Sequence, residues 1–225
     1  MDATSTSADR AAPVRFAIVG GGNRTALYLA IAETIPERFE AAVVVRNPVT
    51  AAVIAAKWRV PTFATIGEMA RSYRPQFVVV AVPPAASAAV IDQVAGLGLA
   101  VLAETPVART LDELDAVVSL ARSGAPIQVA EPCRFRPLHA ARRRAIELGW
   151  LGTVSHVQFS AAHGYHGVTL IRDALSVGRT RVSIRATAAS SPLFYGGQGD
   201  DRAPAFLYGL PSSEEGGRSV PSRQV

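Results

Sequence analysis

The sequence has one cysteine, one lysine and no long hydrophobic run. A single cysteine, Cys133, excludes an intramolecular disulfide and is typical of a reducing compartment. The most apolar segment is broken by Pro83 and Pro84, well short of the roughly 18 residues that a membrane span needs. The first ten residues lack the apolar segment of a secretory signal. We therefore expect a soluble, cytoplasmic protein.

Charged residues are also scarce, at 18% of the 225 residues, whereas 49% are hydrophobic. The mean hydropathy is +0.21, which excludes wholesale disorder and predicts a sizeable buried core. The formal net charge is +5, but the basic residues are scattered along the chain. Their one tight cluster, residues 142–144, is most simply a solvated helix face, so we expect no nucleic-acid partner.

Short apolar runs alternate with helical patterns from Val14 to Glu131. The runs predict strands at 14–20, 39–45, 61–64, 76–82, 100–104 and 126–131. Strands that alternate with helices form a parallel sheet with helices on both faces. Right-handed crossovers then give an α/β fold, a Rossmann-type doubly wound parallel sheet of about six strands.

The pattern changes after Pro132, where a helix at 137–152 is followed by half-solvated strands at 153–162 and 180–188 around a helix at 167–178. The predicted domains are a disordered leader at 1–12, a Rossmann domain at 13–134, a truncated α+β second domain at 135–189 and an irregular tail at 190–225. A truncated second domain would expose strand edges, so we expect a homo-oligomer or poor solubility.

A glycine-rich loop stands between the first predicted strand and the first predicted helix. Gly20 allows a tight turn, and Gly22 lets the backbone approach a pyrophosphate at the helix N-terminus, beside Asn23 and Arg24. Thr25 replaces the third glycine of the dinucleotide-binding motif. A turn that binds nothing is the alternative, but the strand–helix alternation that follows favours dinucleotide binding.

The second strand ends at Arg46, where NAD-binding folds place a carboxylate for the ribose 2′-hydroxyl. A guanidinium at this position can pair with a 2′-phosphate in a bidentate geometry. A solvated arginine at a strand end is the alternative. The sequence therefore favours NADP over NAD as the cofactor.

Five segments together resemble the Gfo/Idh/MocA family of NAD(P)-dependent sugar and polyol oxidoreductases. In order they are FAIVGGGNR, FVVVAVPP, VLAETPVARTLDELDAVVSLA, EPCRFRP and ELGWLGTVSHVQFS, and the resemblance runs from about Val14 to Ala188. It implies hydride transfer between a nicotinamide cofactor and a sugar or polyol hydroxyl. It also implies that Pro83 and Glu104 line the nicotinamide side, and that the substrate is a small molecule.

Three positions depart from the family pattern. Thr105 stands in place of the lysine of the family's Glu-Lys-Pro turn, Ser87 in place of a histidine, and Ala162 in place of an aspartate. Threonine donates a hydrogen bond but is no comparable acid or base near pH 7. The alternative function is therefore a catalytically impaired nucleotide-binding or regulatory protein, and a third alternative is a truncated product without stable function.

His163 and His166 are the remaining candidates for proton transfer, and the resemblance favours His166. A packed pair of histidines is the alternative, and two histidines are too few for a metal site, so we expect none. Arg134 can fix the crossing between the domains or meet an anionic ligand. Cys133 is expected to be a packing residue, because the sequence supplies no base beside it.

Overall fold

The computed structural model describes residues 12–159, 164–178, 182–190 and 205–213. Within the last two ranges it describes the backbone and, among the side chains, only Ser183. The chain divides into two compact units, of which the first ends at Glu131 and the second begins at Pro132. That boundary is close to residue 134, where the predicted Rossmann domain ends. The predicted leader lies outside the described residues, apart from residue 12.

Six parallel strands form the sheet of the first unit, in the order β3-β2-β1-β4-β5-β6. They are β1 (Val14–Val19), β2 (Phe39–Val44), β3 (Thr62–Phe63), β4 (Phe77–Val80), β5 (Ala100–Ala103) and β6 (Ile127–Val129). The direction of the chain order reverses between β1 and β4, which is where doubly wound sheets bind ligands at the carboxyl ends of their strands. The predicted Rossmann-type sheet is confirmed.

Five helices connect these strands: α1 (Asn23–Thr34), α2 (Pro48–Trp58), α3 (Ile66–Ser72), α4 (Pro84–Gly96) and α5 (Leu111–Arg122). Several begin at side chains that bond the first free backbone N–H groups. The Asn47 carboxamide accepts from two N–H groups of α2, and Thr110 with Glu113 forms a capping box at α5. The helix ends therefore follow local sequence signals.

Two hydrophobic clusters, one on each face, hold the sheet between the helices. One face contains Val78 and Val80 with Ile91 of α4, and the other contains Ile18 and Val43 with residues of α1 and α2. All five side chains are at most 1% exposed. Because both faces are covered, the central strands are continuous apolar runs, as parallel strands require.

The second unit contains a short 3₁₀ turn (Cys133–Phe135), α6 (Pro137–Glu147), α7 (Gly164–Ala174) and an antiparallel pair, β7 (Val182–Ser190) with β8 (Ala205–Ser213). The helix predicted at 137–152 ends at Glu147, and the following turn contains Gly149 at a positive φ of 73°. No helix in the described part of the chain is long and apolar enough to cross a membrane.

Two sequence predictions for this unit are wrong. The strand predicted at 153–162 is not formed over 153–159, and residues 160–162 lie outside the described part. A strand is stabilised by its neighbour, and here β7 pairs with β8 instead. The prediction of an irregular tail is also wrong over 205–213, where β8 forms. It forms although Pro211 has no N–H to donate to the neighbouring strand. Proline is tolerated on an edge strand, and in a two-stranded sheet both strands are edges.

The two-stranded sheet leads to a prediction about association. In the described ranges β7 and β8 pair only with each other, so each has one side with unpaired N–H and C=O groups. We expect self-association that increases with protein concentration, measured by size-exclusion chromatography with light scattering. A monomer that persists at high concentration would contradict this expectation.

Candidate cofactor and active site

The glycine turn after β1 is shaped by its close approach to the end of β4. Gly20 has a φ of +140°, and a Cβ added there would overlap the carbonyl oxygen of Ala81. The Gly20 N–H donates to the Val44 carbonyl at 3.0 Å, and the Ala81 N–H donates to the Val19 carbonyl at 2.9 Å. Only glycine fits between these two strand ends without strain.

The N-terminus of α1 is the candidate pyrophosphate site that the sequence predicts. Gly22 precedes the helix in an extended conformation, and a Cβ at Gly22 would meet nothing within 4 Å. No side chain of the described residues caps the helix, and Asn23 and Arg24 are exposed in its first turn. The hydroxyl of Thr25, 1% exposed, has no hydrogen-bond partner in the described chain and lies 3.4 Å from the Cβ position of Gly20.

Glu104 follows β5 and is held by two side chains of α1. The Tyr28 hydroxyl donates to Glu104 Oε1 at 2.9 Å, and Arg24 Nε lies 3.6 Å from Glu104 Oε2. The Glu104 side chain is 13% exposed and that of Arg24 is 56% exposed. Burial, and then the hydrogen bond to Glu104, raise the pKa of Tyr28 far above its usual value, so its hydroxyl remains a donor.

Sequence analysis did not identify Tyr28. The residue lies in an ordinary helical pattern, and its partner Glu104 is 76 positions away in the chain. The one local signal is that Arg24 and Tyr28 are four residues apart, which places them on the same face of α1.

Arg46 is exposed at the carboxyl end of β2, and no ion pair of the described residues involves it. Asn47, next to it, uses its side-chain oxygen to cap α2. The guanidinium of Arg46 is thus a cation at the same edge of the sheet as the glycine turn.

Thr105 and Pro83 follow the carboxyl ends of β5 and β4. Thr105 is half-buried, and the peptide bond to Pro106 is cis. Pro83 is exposed at the start of α4. Ser87, at the place of the family's histidine, is 2% exposed, so it is a buried residue of α4.

In the second unit, His166 is half-buried on α7, with its ring 4.4 Å from that of Tyr165. The Cys133 sulfur and a ring nitrogen of His166 lie within 4.8 Å of each other. Cys133 is buried, as predicted for a packing residue, and the fold brings near it a histidine that is distant in the chain. Arg134 Nε pairs with Asp173 at 3.1 Å. His163 and Ala162 lie outside the described residues.

No residue of α6 is buried, so the arginine cluster lies on a solvated helix face, as the sequence predicts. The Arg142 guanidinium lies 5.1 Å from the centre of the Phe159 ring and 3.2 Å from His139 Nδ1. The other two arginines of 142–144 pair with Glu147 at 3.5 and 3.6 Å. Packing and local pairing therefore account for this cluster.

The fold and the glycine turn define a dinucleotide-binding Rossmann domain. Residues 14–130, just over half of the chain, match the oxidoreductase family Gfo/Idh/MocA, described as having an NAD-binding Rossmann fold. The chain belongs to this family. The predicted family is thus confirmed over residues 14–130, which contain the first three of the five segments, and so is the nicotinamide dinucleotide as the family's cofactor.

Solved structures of this fold include dehydrogenases crystallised with cofactors. The WlbA dehydrogenase from Chromobacterium violaceum, in complex with NADH and UDP-GlcNAcA, is 18% identical with a TM-score of 0.67, over 81% of this chain and 59% of that one. Scyllo-inositol dehydrogenase from Lactobacillus casei, with NAD(H) and scyllo-inositol, is 16% identical with a TM-score of 0.68, over 82% and 61%. KijD10, a 3-ketoreductase from Actinomadura kijaniata crystallised with NADP and TDP-benzene, is 20% identical with a TM-score of 0.53, over 61% and 43%.

The chain thus spans about three fifths of the length of the first two structures. At these identities the likeness establishes the fold alone. No curated protein matches the sequence.

Two glycines of the turn allow stability and binding to be separated. Gly20→Ala should lower the thermal unfolding temperature, because the added methyl group collides with the Ala81 carbonyl at a φ that L residues rarely adopt. Gly22→Ala should leave that temperature nearly unchanged, because its Cβ enters open space, but should weaken NADPH binding by filling the space in front of α1. Thermal unfolding and calorimetry measure the two effects. Equal destabilisation by both variants would contradict this assignment.

Proposed function

We propose that this protein is an NAD(P)-dependent oxidoreductase acting on CH–OH groups of a sugar or polyol, with NADP preferred over NAD. The observation that supports it most directly is the N-terminus of α1, which no side chain of the described residues caps and which follows a turn that requires glycine. A bound nicotinamide cofactor would supply the hydride acceptor or donor. The sugar and polyol substrates follow from family membership and from the ligands in the WlbA and inositol dehydrogenase structures.

The chain's own residues divide the work of binding. The first N–H groups of α1 bind the pyrophosphate, with Gly20 allowing the tight turn and Gly22 leaving room for close approach. The positive end of the helix dipole strengthens that contact. Arg46 binds the 2′-phosphate. Pro83 and Glu104 line the nicotinamide side by family resemblance. The predicted 13–134 and 135–189 domains would serve cofactor and substrate respectively.

Proton transfer is the catalytic function that the residues of this site support least. Thr105 can donate a hydrogen bond to a substrate hydroxyl but cannot replace a lysine as acid or base near neutral pH. His166 is our candidate for that role. The substitution at Thr105 favours a second function, in which the protein binds the nucleotide with little turnover and acts as a regulatory or binding homologue.

The cofactor preference is tested first. NADPH should bind more tightly than NADH, because a charge-assisted pair between Arg46 and the 2′-phosphate contributes about 1.5–3 kcal/mol, or roughly ten- to a hundredfold in affinity. Arg46→Asp should reverse the preference in isothermal titration calorimetry. Arg38→Asp is the matched control, since Arg38 is exposed just before the opposite end of the same strand, β2. Equal affinities for both cofactors in the parent would refute the NADP assignment.

Turnover is tested at Thr105. General acid–base assistance typically contributes about 10²–10⁴-fold in rate. We therefore expect slow turnover in the parent and faster oxidation of a polyol or sugar by Thr105→Lys, measured as NADPH formation across a substrate panel. Thr105→Met is the control, because methionine is similar in length to lysine but uncharged. Its rate of turnover should not exceed that of the parent.

Two results would revise this assignment. Parental activity that is robust and survives Thr105→Ala would show that another residue carries the proton. A Thr105→Lys variant that binds cofactor and remains inactive on every substrate would favour the binding homologue.

A further inference from the structure

Tyr28, Glu104 and Arg24 form one connected group at the carboxyl end of β5, which we call the carboxylate relay. The Tyr28 hydroxyl donates to one carboxylate oxygen at 2.9 Å, and Arg24 Nε lies 3.6 Å from the other. Both partners come from α1 and are one helical turn apart. The helix that begins at the glycine turn is therefore tied to β5 at two points.

The charge of Glu104 would oppose the binding of a dinucleotide if nothing offset it. Its side chain is only 13% exposed, so water screens the carboxylate weakly. A pyrophosphate at the N-terminus of α1 would lie within the same edge of the sheet as this negative charge. Pairing with Arg24 and Tyr28 reduces the repulsion that an approaching phosphate would meet.

Arg24 has more donors than the contact with Glu104 uses. The guanidinium presents five N–H groups in a rigid fork, and the ion pair engages the Nε end. The side chain is 56% exposed and belongs to the first turn of α1, directly after the glycine turn. In the described part of the chain it has no other ion pair, so its terminal N–H groups can meet a second anion.

The Tyr28 hydroxyl is suited to holding the carboxylate rather than to exchanging a proton. Burial is the main reason that its pKa is raised far above the usual value, and the Glu104 hydrogen bond adds to the shift. The hydroxyl therefore stays protonated at working pH and donates to Glu104. Because Tyr28 holds one carboxylate oxygen, the other is left to pair with Arg24.

We propose that Tyr28 is a positioning residue for the cofactor: it holds Glu104, which in turn sets the Arg24 guanidinium for the pyrophosphate at the N-terminus of α1. This inference rests on the proposed function, because it takes the ligand to be a dinucleotide. It gives Glu104 an electrostatic task in addition to lining the nicotinamide side.

The test is a thermodynamic cycle read by calorimetry. Tyr28→Phe keeps the ring and removes the hydroxyl, and it should weaken NADPH and ADP-ribose by about two- to tenfold, the usual range for one hydrogen bond. ADP-ribose carries the pyrophosphate without the nicotinamide. In the Arg24→Gln background the same change should alter either affinity by less than about twofold, because the residue through which Tyr28 acts is gone.

Tyr73→Phe is the matched control. Tyr73 is a half-buried tyrosine of the same unit, and its hydroxyl is buried without a hydrogen-bond partner among the described residues. Its removal should leave both affinities unchanged. Thermal unfolding checks that all variants are folded under the conditions of the titration.

Each other outcome is decisive. If Tyr28→Phe binds like Tyr73→Phe, or if its effect is the same with and without Arg24, the relay is refuted while the proposed function stands. Weaker NADPH with unchanged ADP-ribose would place Tyr28 on the nicotinamide side and would also refute it. If Tyr28→Phe weakens ADP-ribose binding only when Arg24 is present, and the protein turns over no substrate, the relay is supported and the oxidoreductase function is contradicted. A parent that binds neither ligand would overturn both.

Discussion

The close approach of two strand ends determines how the first unit presents its site. Gly20 follows β1 and Ala81 follows β4, and no Cβ fits between them. Hydrogen bonds to Val44 on one side and Val19 on the other fix this backbone in place. The chain must therefore turn tightly, and α1 begins at Asn23, at the edge where the strands end, with no side-chain cap from the described residues. Backbone packing alone thus creates the candidate anion site.

The side chains around this edge adjust its charge. Arg46 after β2 and Arg24 on α1 are exposed cations, and Glu104 after β5 is a largely buried anion that Arg24 and Tyr28 hold. A buried carboxylate is costly unless it is paired and hydrogen-bonded, and here it is both. The pairing lets the carboxylate of the Glu104-Thr105-Pro106 turn occupy the same edge of the sheet as the candidate phosphate site.

Sequence reasoning could predict the first unit because each of its signals is local. The run at β4, with Val78 and Val79 fully buried, is apolar at every position because both faces are covered. The glycine turn was likewise readable from spacing. Long-range contacts could not be predicted from the sequence. The fold alone brings Tyr28 to Glu104, and it likewise brings Cys133 near His166. In the second unit β8 contains Pro211, a residue that argues against a strand until its edge position is known.

Binding and chemistry depend on different kinds of features in this chain, and they therefore tolerate change differently. The proposed pyrophosphate site is built mainly on backbone N–H groups and a helix dipole, which the turn at Gly20 and Gly22 positions and nearby side chains adjust. Proton transfer depends on a single ionisable group at one place, and the family's lysine is here Thr105. A substitution of this kind leaves the sheet, the turn and α1 intact. The Rossmann fold is consequently stronger evidence for nucleotide binding than for catalysis, and the rate of turnover is the property on which the two proposed functions differ.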